Sequence, residues 1–237
     1  MKPSTFIWTD LSAYSLSRAN EFYQNIFDWT FYDAGDGYQV AYSNAKEAAG
    51  MYAMPQKFID MGMPSFWMSY VQVEDVLKTV DTARELGGII ELVDRLPSGN
   101  IALIRDSLGA GFTVYDGTEF NGRTSDLPGR LVWNELFVSD ATRVMEFYAS
   151  LFQWRYQDLG NDRHLILTSE GEIVSAIQQI SNDIKGKHEY WAVYFGVKDL
   201  SETKQKVAAN GGKLIFESGT EVLFADPDGA MFQVTQI

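Results

Sequence analysis

The chain has 237 residues, 46% of them hydrophobic and 14% aromatic, which is enough for a packed core and too much for a disordered chain. Its 32 acidic residues against 19 basic ones give a net charge of −13, which disfavours nucleic acid and anionic membrane as partners because both would repel it. There is no cysteine, so disulfides, thiolate catalysis and cysteine metal sites are excluded.

The opening "MKPSTFIWTDLSAYS" lacks the apolar core of a secretory leader, and no apolar run reaches the length of a membrane span. A cytoplasmic protein is expected, as a monomer or homodimer. A strand-like run precedes residue 16. Leu16, Ala19, Phe22, Tyr23, Ile26 and Phe27 then form one apolar stripe at helical spacing, predicting a helix over 16–27. Short β-like runs follow at Trp29–Tyr32, Tyr38–Ser43 and Ala48–Met54. The order repeats with a strand at Trp67–Val73, a helix at Val76–Leu86, and strands at Ile89–Leu92, Ile101–Ile104 and Phe112–Tyr115.

The same text then returns. "FIWTDLSAYSLSRANEFYQNIFDW" (6–29) aligns without a gap on "LVWNELFVSDATRVMEFYASLFQW" (131–154). "YVQVEDVLKTVDTARELGG" (70–88) aligns on "YFGVKDLSETKQKVAANGG" (194–212), and "RDSLGAGFTVYDG" (105–117) on "ADPDGAMFQVTQI" (225–237). Three collinear blocks imply a tandem duplication. "GTEFNGRTSDLPGR" (117–130) has linker composition, which divides the chain into domains at 1–118 and 130–237 with a linker at 119–129. The expected fold is α+β, each half being two βαβββ modules that form an open mixed β-barrel with helices outside.

The paired modules, with "A-x-E-F-Y-x-x-x-F-x-W" on the first helix and "D-P-D-G-x-x-F-x-V" entering the last strand, resemble the vicinal oxygen chelate superfamily. That group includes glyoxalase I, bleomycin-resistance proteins and extradiol dioxygenases. The Trp-x-(Asp/Glu)-Leu opening is most similar to its two-domain glyoxalase-like or hydroxylase-like proteins. The resemblance implies a small-molecule pocket on the cavity side of each sheet. It also implies, in the metalloenzyme members, a divalent ion held by His, Glu or Gln from the first strand of each module and from the last strand. Those positions here are Trp8, Met68 and Thr113 in the first half, and Trp133, Ala192 and Gln233 in the second. Trp and Ala cannot ligate, Met suits soft ions, and one neutral amide oxygen will not hold a divalent ion. His164 and His188 fall on none of these positions, so neither a catalytic metal nor another cofactor is expected.

Strand alternation instead turns Trp8 and Asp10 to the cavity, with Met68, Tyr70, Gln72, Thr113 and Tyr115. In the copy it turns Trp133, Glu135, Tyr194 and Gln233 the same way. An aromatic wall with a few polar points suits a small aromatic or amphipathic ligand. Asp10 and Glu135 are candidates for a general base or a contact to a cationic ligand group. The alternative is a structural acid that accepts hydrogen bonds from a neighbouring strand or pairs with an arginine. Phe22-Tyr23 and Phe147-Tyr148 read as packing residues, with the Tyr hydroxyls expected to reach backbone groups. Three functions follow: a metal-free binding protein; a hydroxylase-like, lyase or isomerase enzyme using Asp10 or Glu135; or a scaffold without catalysis.

Overall fold

Strand β1 (Phe6–Ala13) hands the chain to helix α1 (Leu16–Phe27), and local chemistry sets both ends of that helix. The Ser15 side chain accepts the Arg18 N–H at its start. Asp28 ends it in the left-handed region at φ 56°, its N–H returning to the Gln24 carbonyl. Three hairpin-forming strands follow: β2 (Thr30–Gly35), β3 (Tyr38–Ser43) and β4 (Lys46–Ala53). After the short α2 (Gln56–Asp60), the second module is β5 (Phe66–Gln72), α3 (Val76–Glu85), β6 (Ile89–Leu96), β7 (Gly99–Arg105) and β8 (Gly111–Tyr115). The third is β9 (Leu131–Val138), α4 (Ala141–Phe152), β10 (Arg155–Asp158), β11 (Arg163–Leu167) and β12 (Ile173–Gln179). After α5 (Asn182–Lys185), the fourth is β13 (Tyr190–Val197), α6 (Leu200–Ala209), β14 (Lys213–Ser218), β15 (Glu221–Ala225) and β16 (Met231–Gln236). This computed structural model describes residues 2–124, 126–219 and 221–237. Met1, Thr220 and Ser125, the last inside the expected linker, lie outside the described residues.

The α+β class and the four βαβββ modules are as the sequence predicts. The strands form two eight-stranded mixed sheets of equivalent order, β2-β3-β4-β1-β5-β8-β7-β6 and β10-β11-β12-β9-β13-β16-β15-β14. Both sheets keep two edge strands, so neither is a closed barrel. The first and last strands of a module pair in parallel, as in β1 with β4 and β5 with β8, while the hairpins between them are antiparallel. Helices α2 and α5 are additions to the sequence reading; at five and four residues they are too short to show an apolar stripe.

Two compact units divide the chain, and each draws on both halves. A terminal unit combines the first and fourth modules (Trp8–Met68, Gly122–Trp133 and Ala192–Ile237). A central unit combines the second and third (up to Ile7, Ser69–Asn121 and Asn134–Trp191). In the terminal unit α1 packs with α6, and Phe22, Tyr23, Ile26 and Phe27 share a core with Val193, Phe195, Val207 and Phe232. In the central unit α3 packs with α4, and Phe147, Tyr148 and Phe152 share a core with Val71, Val80, Phe112 and Val114.

At the centre of each core the Tyr hydroxyl does not bond to backbone, which corrects the sequence expectation. In the terminal unit the Trp67 indole N–H donates to the Tyr23 hydroxyl (3.0 Å), which donates to Asp226 Oδ2 (3.1 Å). In the central unit Trp191 donates to Tyr148 (2.9 Å), which donates to Asp106 Oδ2 (3.0 Å). Each Asp opens a D-x-x-G turn and also accepts that turn's backbone N–H groups, from Asp228 and Ala230 in one case and from Leu108, Gly109 and Ala110 in the other. Burial raises both carboxyls, and Asp226 reaches about 6 from an ordinary 3.8.

Replacing Tyr23 by Phe leaves the Trp67 N–H and one Asp226 oxygen without their partner in a dry site. The expected cost is about 2–4 kcal/mol, read by urea unfolding, with a similar loss for Tyr148→Phe. The pH dependence has a defined sign. Folded Asp226 holds its proton more tightly than the unfolded chain does, so this group's stabilisation is complete below pH 3.8 and is lost as pH rises through about 6. Wild type should therefore gain on the order of 3 kcal/mol relative to Asp226→Asn as pH falls from about 7 to 4. Parallel stability–pH curves for the two proteins would refute this.

Candidate functional site

On β1, Leu11 joins the helix-side core while Trp8 and Asp10 face the opposite side. Asp10 is 2% exposed, and its Oδ1 accepts the Trp8 indole N–H (2.7 Å) and the Tyr38 hydroxyl (2.7 Å). Trp8 and Tyr38 also meet, at 3.1 Å. Burial and the Asp10 charge push the phenols of Tyr38 and Tyr52 well above their ordinary range, so both remain neutral proton donors. Gly50, paired with Asp10 across β1 and β4, makes room for this cluster. A Cβ there would lie 1.8 Å from the Tyr38 hydroxyl and 2.1 Å from Asp10 Oδ1.

The equivalent cluster in the second half lies in the central unit and has different chemistry. Glu135, also 2% exposed, receives Arg163 in a two-pronged pair, Nε at 2.8 Å and Nη2 at 3.0 Å. Sheet register makes Arg163 the counterpart of Tyr38, and Ala176 the counterpart of Gly50. Sequence reading missed Tyr38, Tyr52, Gly50 and Arg163. The repeat aligns the strands that carry them, but only register shows which of their residues meet the acid.

The other sequence candidates are placed in four separate settings. In the central unit Tyr70 lies opposite Thr113 and Gln72 opposite Tyr115 on β5 and β8, which gathers four of them on one face. In the terminal unit Tyr194 lies opposite Gln233 on β13 and β16. Met68 is buried, and its carbonyl accepts the Thr9 hydroxyl (3.0 Å). Trp133 is half-buried, with the Arg123 guanidinium 5.3 Å above its ring. Burial lowers that guanidinium to about 10, and it remains a cation.

The expected linker is closely built into both units. Trp29 donates its indole N–H to the Gly129 carbonyl (2.7 Å) and Ser43 its hydroxyl to Pro128 (3.1 Å). Gly122 lies on the Trp8 indole so closely that a Cβ would stand 2.5 Å from the ring. In the central unit Phe120 packs on Tyr70 and Tyr115.

The donor chemistry does not fit a divalent ion at the positions the resemblance implies. The Trp8 N–H is committed to Asp10, Trp133 lies beneath a guanidinium, Ala192 has no donor, and what remains is a thioether, a hydroxyl and an amide. Among the described residues no group of three or more His, Asp or Glu side chains is arranged to hold a metal. His164 lies on β11, and exposed His188 gives its carbonyl to Lys185.

The model of the glyoxalase/bleomycin resistance protein/dioxygenase superfamily matches residues 130–234. This segment belongs to that superfamily. The glyoxalase-superfamily fold also extends beyond it. An Mn(II)-bound glyoxalase from Novosphingobium aromaticivorans superposes over 99% of this chain and 82% of its own, with TM-score 0.67 and 10% identity. A homoprotocatechuate 2,3-dioxygenase variant from B. fuscum, in complex with HPCA, superposes over 98% and 72%, with TM-score 0.67 and 14% identity. In sequence, the chain is 28% identical over 245 aligned positions to CFP32 of Mycobacterium bovis and of Mycobacterium tuberculosis, covering 96% of this chain and 92% of theirs. CFP32 is provisionally named a glyoxylase. No described helix is long and apolar enough to cross a membrane.

The Gly50 contact gives a test of the first cluster. Gly50→Ala should cost about 1–3 kcal/mol by pressing on both Tyr38 and Asp10, and only the Tyr38 share of that cost should vanish in a Tyr38→Ala background, because the contact with Asp10 Oδ1 remains. A double-mutant cycle by urea unfolding measures the coupling, and strictly additive losses would contradict the arrangement.

Proposed function

We propose that this glyoxalase-superfamily protein binds a small planar aromatic or amphipathic molecule, and that it does so without a divalent ion at the family's metal positions. The observation that carries the reading is the Trp8–Asp10–Tyr38 cluster: a buried carboxylate set between an indole and a phenol, with a second phenol nearby. Trp8 is 1% exposed beneath Gly122, so a ligand reaches this wall by displacing that segment; the wall then gives apolar contact to a ring and an acceptor to a ligand O–H or N–H. Asp10 is assigned that polar contact. Glu135 is assigned a structural role, because both its oxygens are taken up by Arg163. The names of the glyoxalase and dioxygenase relatives support a small organic ligand. On this reading the protein is cytoplasmic, a monomer or homodimer, with a diffusible small molecule as its partner.

A second reading, that the protein is an enzyme, is favoured by the same geometry at Asp10. With Tyr38 holding a proton 2.7 Å from its carboxylate, the pair is placed to move a proton on a bound substrate, as in a lyase or isomerase.

A thermal-shift screen of phenols, aromatic acids and aldehyde adducts tests the proposal. A ligand at about 100 times its Kd should stabilise the native state by about 2.7 kcal/mol. Asp10→Asn should reduce the shift at least severalfold and Glu135→Gln should leave it nearly unchanged. A stoichiometric divalent ion in protein purified without chelator would sink the metal-free reading. A shift insensitive to Asp10→Asn would remove Asp10 from the site.

A further inference from the structure

Tyr70 and Tyr115 stand on one face of β5 and β8 in the central unit, 5% and 0% exposed. The half-buried ring of Phe120 covers both, its centroid 5.4 Å from Tyr70 and 4.7 Å from Tyr115, at interplanar angles of 69° and 55°. The chain reaches that position by a tight return. Gly117 passes over Tyr115 where a Cβ would stand 2.1 Å from the phenol oxygen, and the Glu119 N–H points to the same oxygen (3.4 Å). Thr118, Glu119 and Asn121 around Phe120 are exposed. Phe120 is therefore one apolar ring on an otherwise solvated stretch.

A second observation concerns Gln72, opposite Tyr115 in the register and 6% exposed. Its amide N–H group donates to the Val73 carbonyl (3.3 Å) and the Gly117 carbonyl (3.1 Å), which fixes the amide's orientation. Its oxygen is buried without a hydrogen-bond partner. A buried acceptor left unmet is costly, and one beside an aromatic pair has the form of a recognition point.

We propose that Tyr70, Tyr115 and Gln72 form a slot for a planar aromatic ring bearing one O–H or N–H donor, and that Phe120 is an internal stand-in for that ring. Tyr70 takes the ring edge-on and Tyr115 at a tilt, as each takes Phe120. The ligand's donor satisfies the Gln72 oxygen, which a phenylalanine cannot do. Binding displaces Phe120, so the chain competes with its own ligand and apparent affinity falls by the fraction of molecules whose slot is filled. The inference rests on the small-aromatic reading above and adds the ligand's donor group and its internal competitor.

Phenol, anisole and cyclohexanol separate the parts when titrated by calorimetry into the full chain and its Phe120→Ala variant. Phenol should bind the variant about tenfold or more tighter than wild type, with anisole and cyclohexanol each about tenfold weaker than phenol. In wild type, saturating phenol should speed chymotryptic cleavage after Phe120 severalfold, because the ring leaves its slot. This readout does not depend on how the variant folds. Equal phenol affinity in the two proteins, or slower cleavage with phenol, overturns the self-occupied slot while leaving small-aromatic binding intact. No binding of phenol or any other aromatic to either protein overturns both.

Discussion

The structure depends on one repeated chain of hydrogen bonds: indole N–H to tyrosine hydroxyl to buried aspartate. Each such chain joins a β-strand, a helix and a tight turn from different modules, at the centre of a core where an unmet polar atom would be costly. It explains why the phrase "EFY" recurs. The Phe fills the helix–sheet interface, and the Tyr fills it while also carrying a proton between two groups that need a partner. Around Tyr23 the rings of Phe22, Phe27, Trp29, Trp67 and Phe232 pack with centroids within about 6 Å, an apolar surround in which an unmet polar atom is costly.

Much of the fold was legible in the sequence because local signals and the repeat agree. Helix 16–27 has a stripe, a serine cap and a left-handed stop, and the predicted span coincides with α1. Period-two alternation put Tyr70, Gln72, Thr113 and Tyr115 on one face, and the strand register does the same. What was not legible depends on distance. The Tyr23 partner lies 203 residues away and the Tyr148 partner 42 away, and no local pattern announces either. Glycine, serine and proline marked 117–130 as irregular backbone, which its described residues are. Composition carries no information on what such backbone lies against, so its seating on Trp8, Tyr70 and Tyr115 was hidden.

Duplication gave two starting copies of one acid site, and electrostatics has since separated them. In the first half neutral donors hold a carboxylate, with a glycine opposite; in the second an arginine holds it, with an alanine opposite. These changes are linked, because the methyl group that alanine brings occupies the space Tyr38 needs. The halves thus differ by a matched pair of residues, the second cluster having a charge-assisted clamp where the first has phenols.

The pairing of modules also bears on how the chain is made. The central unit is complete in sequence once residue 191 has emerged, and its tyrosine–aspartate bond joins residues 42 apart, against 203 in the terminal unit. The core of the terminal unit is incomplete until the last strand arrives, because Tyr23 waits for Asp226 and for Phe232 of β16. During synthesis the apolar face of α1 therefore stays uncovered until residues 226–232 have emerged, which leaves it exposed to chaperones or to self-association in the interval. Nascent chains halted just before and just after β16 would show the difference directly, as protease sensitivity near residue 23 that disappears only with the final strand.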